Sequence, residues 1–337
     1  MDINSLYQKL LEPSNDLLSD MARLDGDITI LGVGGKMGPD LARLTRHAID
    51  MAGIKKEVIG VARFSEPGLQ QELEQHGIRT YKADLLRDQQ LQELPVTRNV
   101  LYLAGMKFGT TGKESLTWAM NSYLPGRVAE KFKDSRIVVF STGNVYPLMP
   151  VQSDGATEQE PTGPIGEYAQ SCLGRERVFQ YFSSLNNTPT LIYRLNYAND
   201  VTYGVLLDIA KAVYEKRPID LRMGYVNVIW QGEANEMALR ALHHCAVPAK
   251  ILNITGPDTL SVRRIAEQFA QLFKTKPVFV NEEQNTALLS NASESYRLFG
   301  KQKVSLDQMM EVIASWIVMG GKTLNKPTHF QEREGKF

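Results

Sequence analysis

Short apolar runs alternate along this chain with longer stretches in which apolar residues return every three or four positions. Ile28–Val33 is the first run, and after a cluster of glycines the spacing predicts a helix over Met37–Met51. Val58–Ala62 precedes a helical Leu69–His76, and Thr80-Tyr81 leads to Asp84. Val100–Ala104 precedes a helix over Ser115–Phe132, Ile137–Phe140 one over Ile165–Phe182, and Thr190–Arg194 closes the series. Strands separated by helices of this length predict βαβ units and a parallel sheet. A parallel sheet is covered on both faces, so its strands read as unbroken apolar runs rather than alternating ones.

Beyond Val201 the pattern loosens. Helices are expected at Gly204–Glu215 and Glu233–His243, beside short strands at Ile219–Leu221, Asn227–Trp230 and Ile251–Ile254. Ser261 is positioned to cap a helix running to Phe273, and Ser305 one running to Met319. Ahead of the first strand, Leu6, Leu10, Leu11, Leu17, Leu18, Met21 and Leu24 recur at helical spacing, with an interruption at Pro13. The expected organisation is therefore a helical extension (1–27) and a doubly wound α/β domain (28–200, completed by about 225–245). A smaller α/β substrate lobe (201–224 and 246–325) and a polar, partly disordered tail (326–337) follow.

Composition narrows the function classes. Lys+Arg and Asp+Glu are both 38, so the chain lacks the basic footprint of a nucleic-acid or anionic-membrane binder. No apolar run approaches the ~20 residues of a membrane span. The acidic Asp2 and the absence of an apolar leader argue against a secretory signal, and two cysteines, Cys172 and Cys245, fit a reducing cytoplasm. No cysteine pair or spaced histidine pair has zinc-ligand spacing, the doublet His243-His244 reads as structural, and no metal is expected.

The richest chemistry lies in Ile28–Gly38, which runs strand, glycine turn, helix start. Gly32, Gly35 and Gly38 are spaced three apart. Gly32 permits the turn, Gly35 lets a pyrophosphate approach the backbone, and Gly38 lets the helix pack on the strand. Gly34, Lys36 and Met37 complete the candidate cofactor-binding loop. The diphosphate of a dinucleotide would meet the free N–H groups of the helix N-terminus. An acid ending the second strand would select NAD, but here Arg63 follows Ala62, with Ser65 two residues on. Arginine suits a 2′-phosphate, and Lys36 adds charge in the loop, so the residues favour NADP, with NAD as the alternative.

With these pieces the chain resembles the extended short-chain dehydrogenases, the NAD(P)-dependent sugar epimerase/dehydratase family, from about Ile28 to Trp316. Asp84-Leu85 is similar to the family's adenine-contacting pair. Leu103-Ala104-Gly105-Met106-Lys107 resembles the segment after the fourth strand, which implies cofactor contacts by Ala104, Gly105 and Lys107. Asn121 matches the helix asparagine that steadies the active-site backbone. Ser141-Thr142-Gly143-Asn144-Val145-Tyr146 resembles the Ser/Thr motif and Pro164-Ile165-Gly166-Glu167-Tyr168 the segment leading to the catalytic tyrosine, implying catalytic Thr142 and Tyr168, with Tyr168 also contacting the cofactor. Arg194-Leu195-Asn196 is similar to the strand end beside nicotinamide and substrate; Lys107, Asn144 and Asn196 are the implied substrate contacts.

The chain departs from the family at one point. The family reads Tyr-x-x-x-Lys; this chain reads Tyr168-Ala169-Gln170-Ser171-Cys172. Residues four apart share a helix face, so the missing lysine would have stood one turn beyond the tyrosine, and a neutral thiol cannot supply its charge. Three readings stay open: another cation such as Lys107 compensates, Tyr168 works as a neutral donor, or catalysis is lost and a dinucleotide sensor or scaffold remains. Cys172 as a nucleophile is a fourth. An active enzyme would act as an oxidoreductase or epimerase on a sugar, sugar acid or nucleotide sugar. Arg222, Arg263, Arg264 and Arg297 are candidates for a substrate diphosphate, and Gln231 replaces the acid that normally opens its helix. The resemblance also implies a homodimer built on the helices Ser115–Phe132 and Ile165–Phe182.

Overall fold

The apolar runs become the strands of one sheet. In a computed structural model, which describes residues 7, 10–107, 109 and 111–336, seven parallel strands form it. They are β1 (Ile28–Leu31), β2 (Val58–Ala62), β3 (Arg79–Lys82), β4 (Asn99–Tyr102), β5 (Arg136–Thr142), β6 (Thr190–Leu195) and β7 (Lys250–Ile254). Their order across the sheet is β3-β2-β1-β4-β5-β6-β7. Ile28 pairs with Val58 on one side and Asn99 on the other, so the winding direction reverses at β1. Crevices for ligands open at the carboxyl ends of strands flanking such a reversal. β1, β2 and β4 are buried along their whole length, as helices on both faces require.

The described helices are α1 (Asn15–Arg23), α2 (Gly38–Met51), α3 (Leu69–Gln75), α4 (Asp88–Gln92), α5 (Glu114–Trp118), α6 (Leu124–Lys131), α7 (Gly166–Asn186), α8 (Val205–Tyr214), α9 (Gln231–Arg240), α10 (Val262–Leu272), α11 (Ser293–Phe299) and α12 (Leu306–Val318). Ser261 and Ser305 cap α10 and α12 as their positions predict; Ser305 and Gln308 form a reciprocal capping box. α1 docks on α2 and α9 through Leu17, Met21 and Leu24, all buried. Burial of side chains this size contributes about 2 kcal/mol each, which is why the extension is part of the fold. Leu6, expected in the same apolar stripe, lies outside the described residues. A second hydrophobic cluster, built from α8, α10 and α12, lies beyond the sheet.

Several expectations are corrected. The helix expected over Ser115–Phe132 forms from Glu114 to Lys131, but it contains a π-turn at Ala119–Tyr123 between α5 and α6. The strand expected at Asn227–Trp230 is two short pieces, Tyr225–Val226 and Ile229–Trp230, with different partners. The strand at Ile251–Ile254, expected within the lobe, pairs with β6 at the edge of the main sheet. The tail, expected to be partly disordered, packs against the body: Phe330 is buried in the second cluster, and Thr328 donates from both its amide and its hydroxyl to Asp208 Oδ2 (2.8 and 2.6 Å). These contacts join distant parts of the chain, and the polar composition of the tail carries no trace of them.

Candidate functional site

The glycine loop is shaped by what lies behind it. Gly32 has φ +91°, and a Cβ there would come within 2.7 Å of the Ala104 nitrogen. A Cβ on Gly38 would stand 2.3 Å from the Val33 carbonyl oxygen, so only glycine lets α2 start this close to β1. Met37, the N-cap of α2, makes no side-chain hydrogen bond to the helix amides. Those amides are left to face a ligand anion.

Two cavities meet at this loop, sharing Gly32, Gly35 and Leu103. The outer one, of about 430 Å³, collects Gly34, Arg63, Asp84, Leu85, Ala104 and Gly105. Arg63 is exposed on its rim, and Asp84 accepts from the Leu86 amide (3.1 Å). A Cβ on Gly34 would lie 3.2 Å from the Ala62 Cβ and narrow this cavity. An open glycine cradle with a polar rim therefore fits the adenosine half of a dinucleotide. Lys326, from the tail, also lines it and was not legible in the sequence as a site residue.

The inner cavity, of about 240 Å³, is walled by Thr142, Asn144, Tyr168, Asn196, Lys107 and Lys36, with Met37 and Gly38 at its base. Lys36, expected to add charge in the glycine loop, lines this inner cavity and not the outer one that holds Arg63. Its Nζ donates to the Ala198 carbonyl (2.9 Å) and stands 4.1 Å over the Tyr203 ring. Burial pushes this amine down to about 7; Asp200 opposes that shift and Lys107 adds to it. Burial likewise brings Lys107 down to about 8.

Tyr168 sits on the first turn of α7, buried among Val145, Tyr146, Ala156 and Cys172. Hydrogen bonds link its hydroxyl to the side chains of Thr142 and Cys172. The Asn144 amide group donates to Thr142 Oγ1 (2.9 Å), fixing that hydroxyl in turn. Burial raises the Tyr168 phenol well above its ordinary value, and Arg175 only partly opposes this. The phenol is therefore protonated at neutral pH. Burial also raises the Cys172 thiol, against the pull of Arg175. A buried, protonated thiol does not suit the nucleophile reading.

Arg175 was missed by the sequence reading. It lies on α7, seven residues beyond Tyr168, two turns along the same face. Its guanidinium donates to the Phe140 carbonyl (2.8 Å) and to Asn121 Oδ1 (2.7 Å). Asn121, presented by the π-turn, also accepts from the Met106 amide (2.8 Å) and donates to the Met106 carbonyl (2.9 Å) and Ser171 Oγ (3.0 Å). A Cβ on Gly105 would stand 2.3 Å from the Arg175 Nη2, so a larger residue there would displace the guanidinium. Spacing along α7 was the available signal for Arg175. Arg194 turns away from the cavity into a buried pair with Glu176 (2.6 Å), while Asn196 remains on the wall.

The four arginines expected to meet a substrate diphosphate do not line either cavity. Arg222 pairs with Asp220, Arg263 with Glu283 and Arg297 with Glu294, all near the surface, and Arg264 is exposed. Nearby carboxylates on their own or adjacent elements satisfy them, which spacing alone could not reveal. Gln231 opens α9 and donates to Asp40 (2.7 Å). Among the described residues no group of three or more His, Cys, Asp or Glu side chains is arranged to hold a metal. No helix among them is long and apolar enough to cross a membrane.

Residues 28–199 match the family model described as the NAD dependent epimerase/dehydratase family. No curated protein matches the sequence. Among solved structures, UDP-glucuronic acid 4-epimerase from Bacillus cereus in complex with NAD is similar at 18% identity and a TM-score of 0.69, over 87% of this chain and 99% of that one. UDP-glucose 4-epimerase from Thermotoga maritima with UDP-glucose is similar at 14% identity and a TM-score of 0.70, over 87% and 99%. dTDP-glucose 4,6-dehydratase from Bacillus anthracis in complex with NAD is similar at 15% identity and a TM-score of 0.71, over 87% and 96%. At these identities the likeness establishes the fold.

Proposed function

The chain belongs to the NAD-dependent epimerase/dehydratase family, and on that premise we propose that it is an oxidoreductase or epimerase of a sugar, sugar acid or nucleotide sugar, with Tyr168 acting as a neutral hydrogen-bond donor. The observation that carries this reading is the buried Thr142–Tyr168 pair on the wall of a cavity that shares the glycine loop. When bound, the dinucleotide supplies or takes up the hydride. The chain supplies position and charge. Asn144 holds the Thr142 hydroxyl, and the Thr142–Tyr168 pair marks where a substrate oxygen binds. A protonated phenol at that point polarises a carbonyl, a task that requires a donor rather than a strong base.

Lys36 and Lys107 support the same reading. They bring two amines to the cavity from elements other than α7, where Cys172 leaves the usual lysine position uncharged. Two amines favour a substrate with an acidic or phosphorylated group, so sugar acids and nucleotide sugars rank ahead of neutral sugars. Arg63, exposed on the rim of the outer cavity, favours NADP over NAD. Residues 201–224, together with α10 and α12 from 246–325, form the proposed substrate lobe. A homodimer through α5, α6 and α7 is part of the proposal.

Dinucleotide fluorescence with a panel of sugar acids and nucleotide sugars tests it. Tyr168→Phe should cut turnover by about 10²-fold or more while leaving dinucleotide affinity within about twofold. One observation favours the alternative, a non-catalytic dinucleotide sensor: the buried thiol at Cys172. Binding without turnover across the panel, with the wild type and Tyr168→Phe indistinguishable, would establish that alternative.

A further inference from the structure

The C-terminal tail crosses the site. After α12 the chain turns back, with the Leu324 amide donating to the Thr202 carbonyl (3.0 Å) and Lys211 reaching Asn325 (3.3 Å). Lys326 then lines the outer cavity and Thr328 the inner one. Among the described residues, Gly32 and Gly35 of the glycine turn, together with Leu103, line both cavities. Residues 326–328 therefore span the junction where a dinucleotide would pass its diphosphate from one cavity to the other.

This crossing is built rather than draped. Asn325 and His329, which bracket it, both hold left-handed backbone angles, φ +48° and +54°. Non-glycine residues keep such angles where surrounding structure imposes them, often at ligand clamps. Thr328 is fastened to Asp208 by two hydrogen bonds, Phe330 is buried, and the Tyr197 hydroxyl donates to the Phe330 carbonyl (3.4 Å). Arg333 donates to the Thr286 carbonyl and hydroxyl (2.7 and 2.6 Å). Further on, Gly335 packs so closely on Gly166, at the start of the Tyr168 helix, that a Cβ on either would overlap the other's backbone. The strap thus runs from the lobe across the cofactor crevice to the helix that carries the candidate catalytic tyrosine.

We propose that Lys326 is a diphosphate-binding residue, carried over the dinucleotide by a C-terminal strap (322–335) that retains the cofactor. The inference rests on the dinucleotide reading of the glycine loop. To the outer cavity that loop contributes Gly32, Gly34 and Gly35, and so backbone amides and a helix N-terminus but no side-chain cation. Lys326 supplies one from the opposite side, and the Asp208–Thr328 contact sets how firmly the strap is held.

The test compares the full-length wild type with Lys326→Ala and Asp208→Asn, using adenosine, ADP, NAD and NADP as probes. Equilibrium binding, stopped-flow dissociation and hydrogen exchange over 322–335 are the readouts. Lys326→Ala should weaken ADP and both dinucleotides by about tenfold, mostly through faster dissociation, and leave adenosine unchanged. Asp208→Asn should speed dissociation of the dinucleotides, and dinucleotide binding should protect the strap from exchange in the wild type. Unchanged or tighter ADP binding in Lys326→Ala overturns the proposal. So does a loss that is equal for adenosine or confined to NADP. A wild type that binds neither ADP nor a dinucleotide overturns the glycine-loop reading itself, an outcome distinct from the failure of Lys326 alone.

Discussion

Lys36 lies two residues before α2, beside the glycines that shape the turn, yet its amine faces the Thr142–Tyr168 cavity. Its folded value of about 7 lies below the ordinary 10.5 because burial disfavours the charged form, with Asp200 opposing and Lys107 reinforcing the shift. In the folded chain the amine loses its proton near pH 7, while in the unfolded chain it keeps the proton to near 10.5. Across that window the unfolded state binds more protons, so this group costs stability at neutral pH and the cost fades as the pH rises. Lys36→Met should therefore melt higher than the wild type at pH 7, with the advantage shrinking toward pH 10.5 in calorimetry across that range. The same variant should flatten any step in substrate affinity near pH 7; a step that survives would place the titrating group elsewhere.

At the scale of elements, the π-turn of Ala119–Tyr123 and the helix α7 work as a unit. A π-turn carries an extra residue, and such single turns often serve functional sites. Here it presents Asn121, which holds the Met106 backbone on one side and the buried Arg175 guanidinium on the other. Removing the amide leaves buried donors and a buried charge under-satisfied. Asn121→Leu should cost roughly 2–4 kcal/mol in urea unfolding. It should also weaken dinucleotide binding, because Met106 belongs to the segment that follows β4 beside the outer cavity. A loss below about 1 kcal/mol would mean that water replaces these bonds. The sequence marked Asn121 only through family resemblance. It read the helix as continuous because the 3.6-residue pattern of Ser115–Phe132 does not register one inserted residue.

At the scale of the molecule, apolar side chains stay exposed on the elements that flank β5. Leu116 and Trp118 on α5 are exposed, as is Tyr123 on the π-turn; Tyr181 and Leu185 on α7 are 61% and 58% exposed. Side chains of this size clustered on neighbouring helices mark a surface suited to association. A dimer with two-fold symmetry would place the same patch against itself. Light scattering should give twice the chain mass at micromolar concentration, and Tyr181→Asp combined with Leu185→Asp should give the monomer. A wild-type monomer under the same conditions removes the dimer from the proposal.

The sequence by itself determined the alternation of strand and helix, the glycine turn between β1 and α2, the capping of α10 and α12, and the neutral residue at Cys172. Each of these is a local property, set by hydrophobic periodicity, by the φ angles open to glycine, or by residue type at a fixed spacing. Tertiary structure alone decided the rest. It turned Lys36 into the inner cavity, paired Arg222, Arg263 and Arg297 with carboxylates near the surface, moved β7 into the main sheet, and laid the tail across the crevice. Those outcomes depend on partners far away along the chain: Ala198 for Lys36, Asp208 for Thr328, Gly166 for Gly335. A charge or a polar tail carries no periodicity that names such a partner, so its destination appears only once the chain has closed on itself.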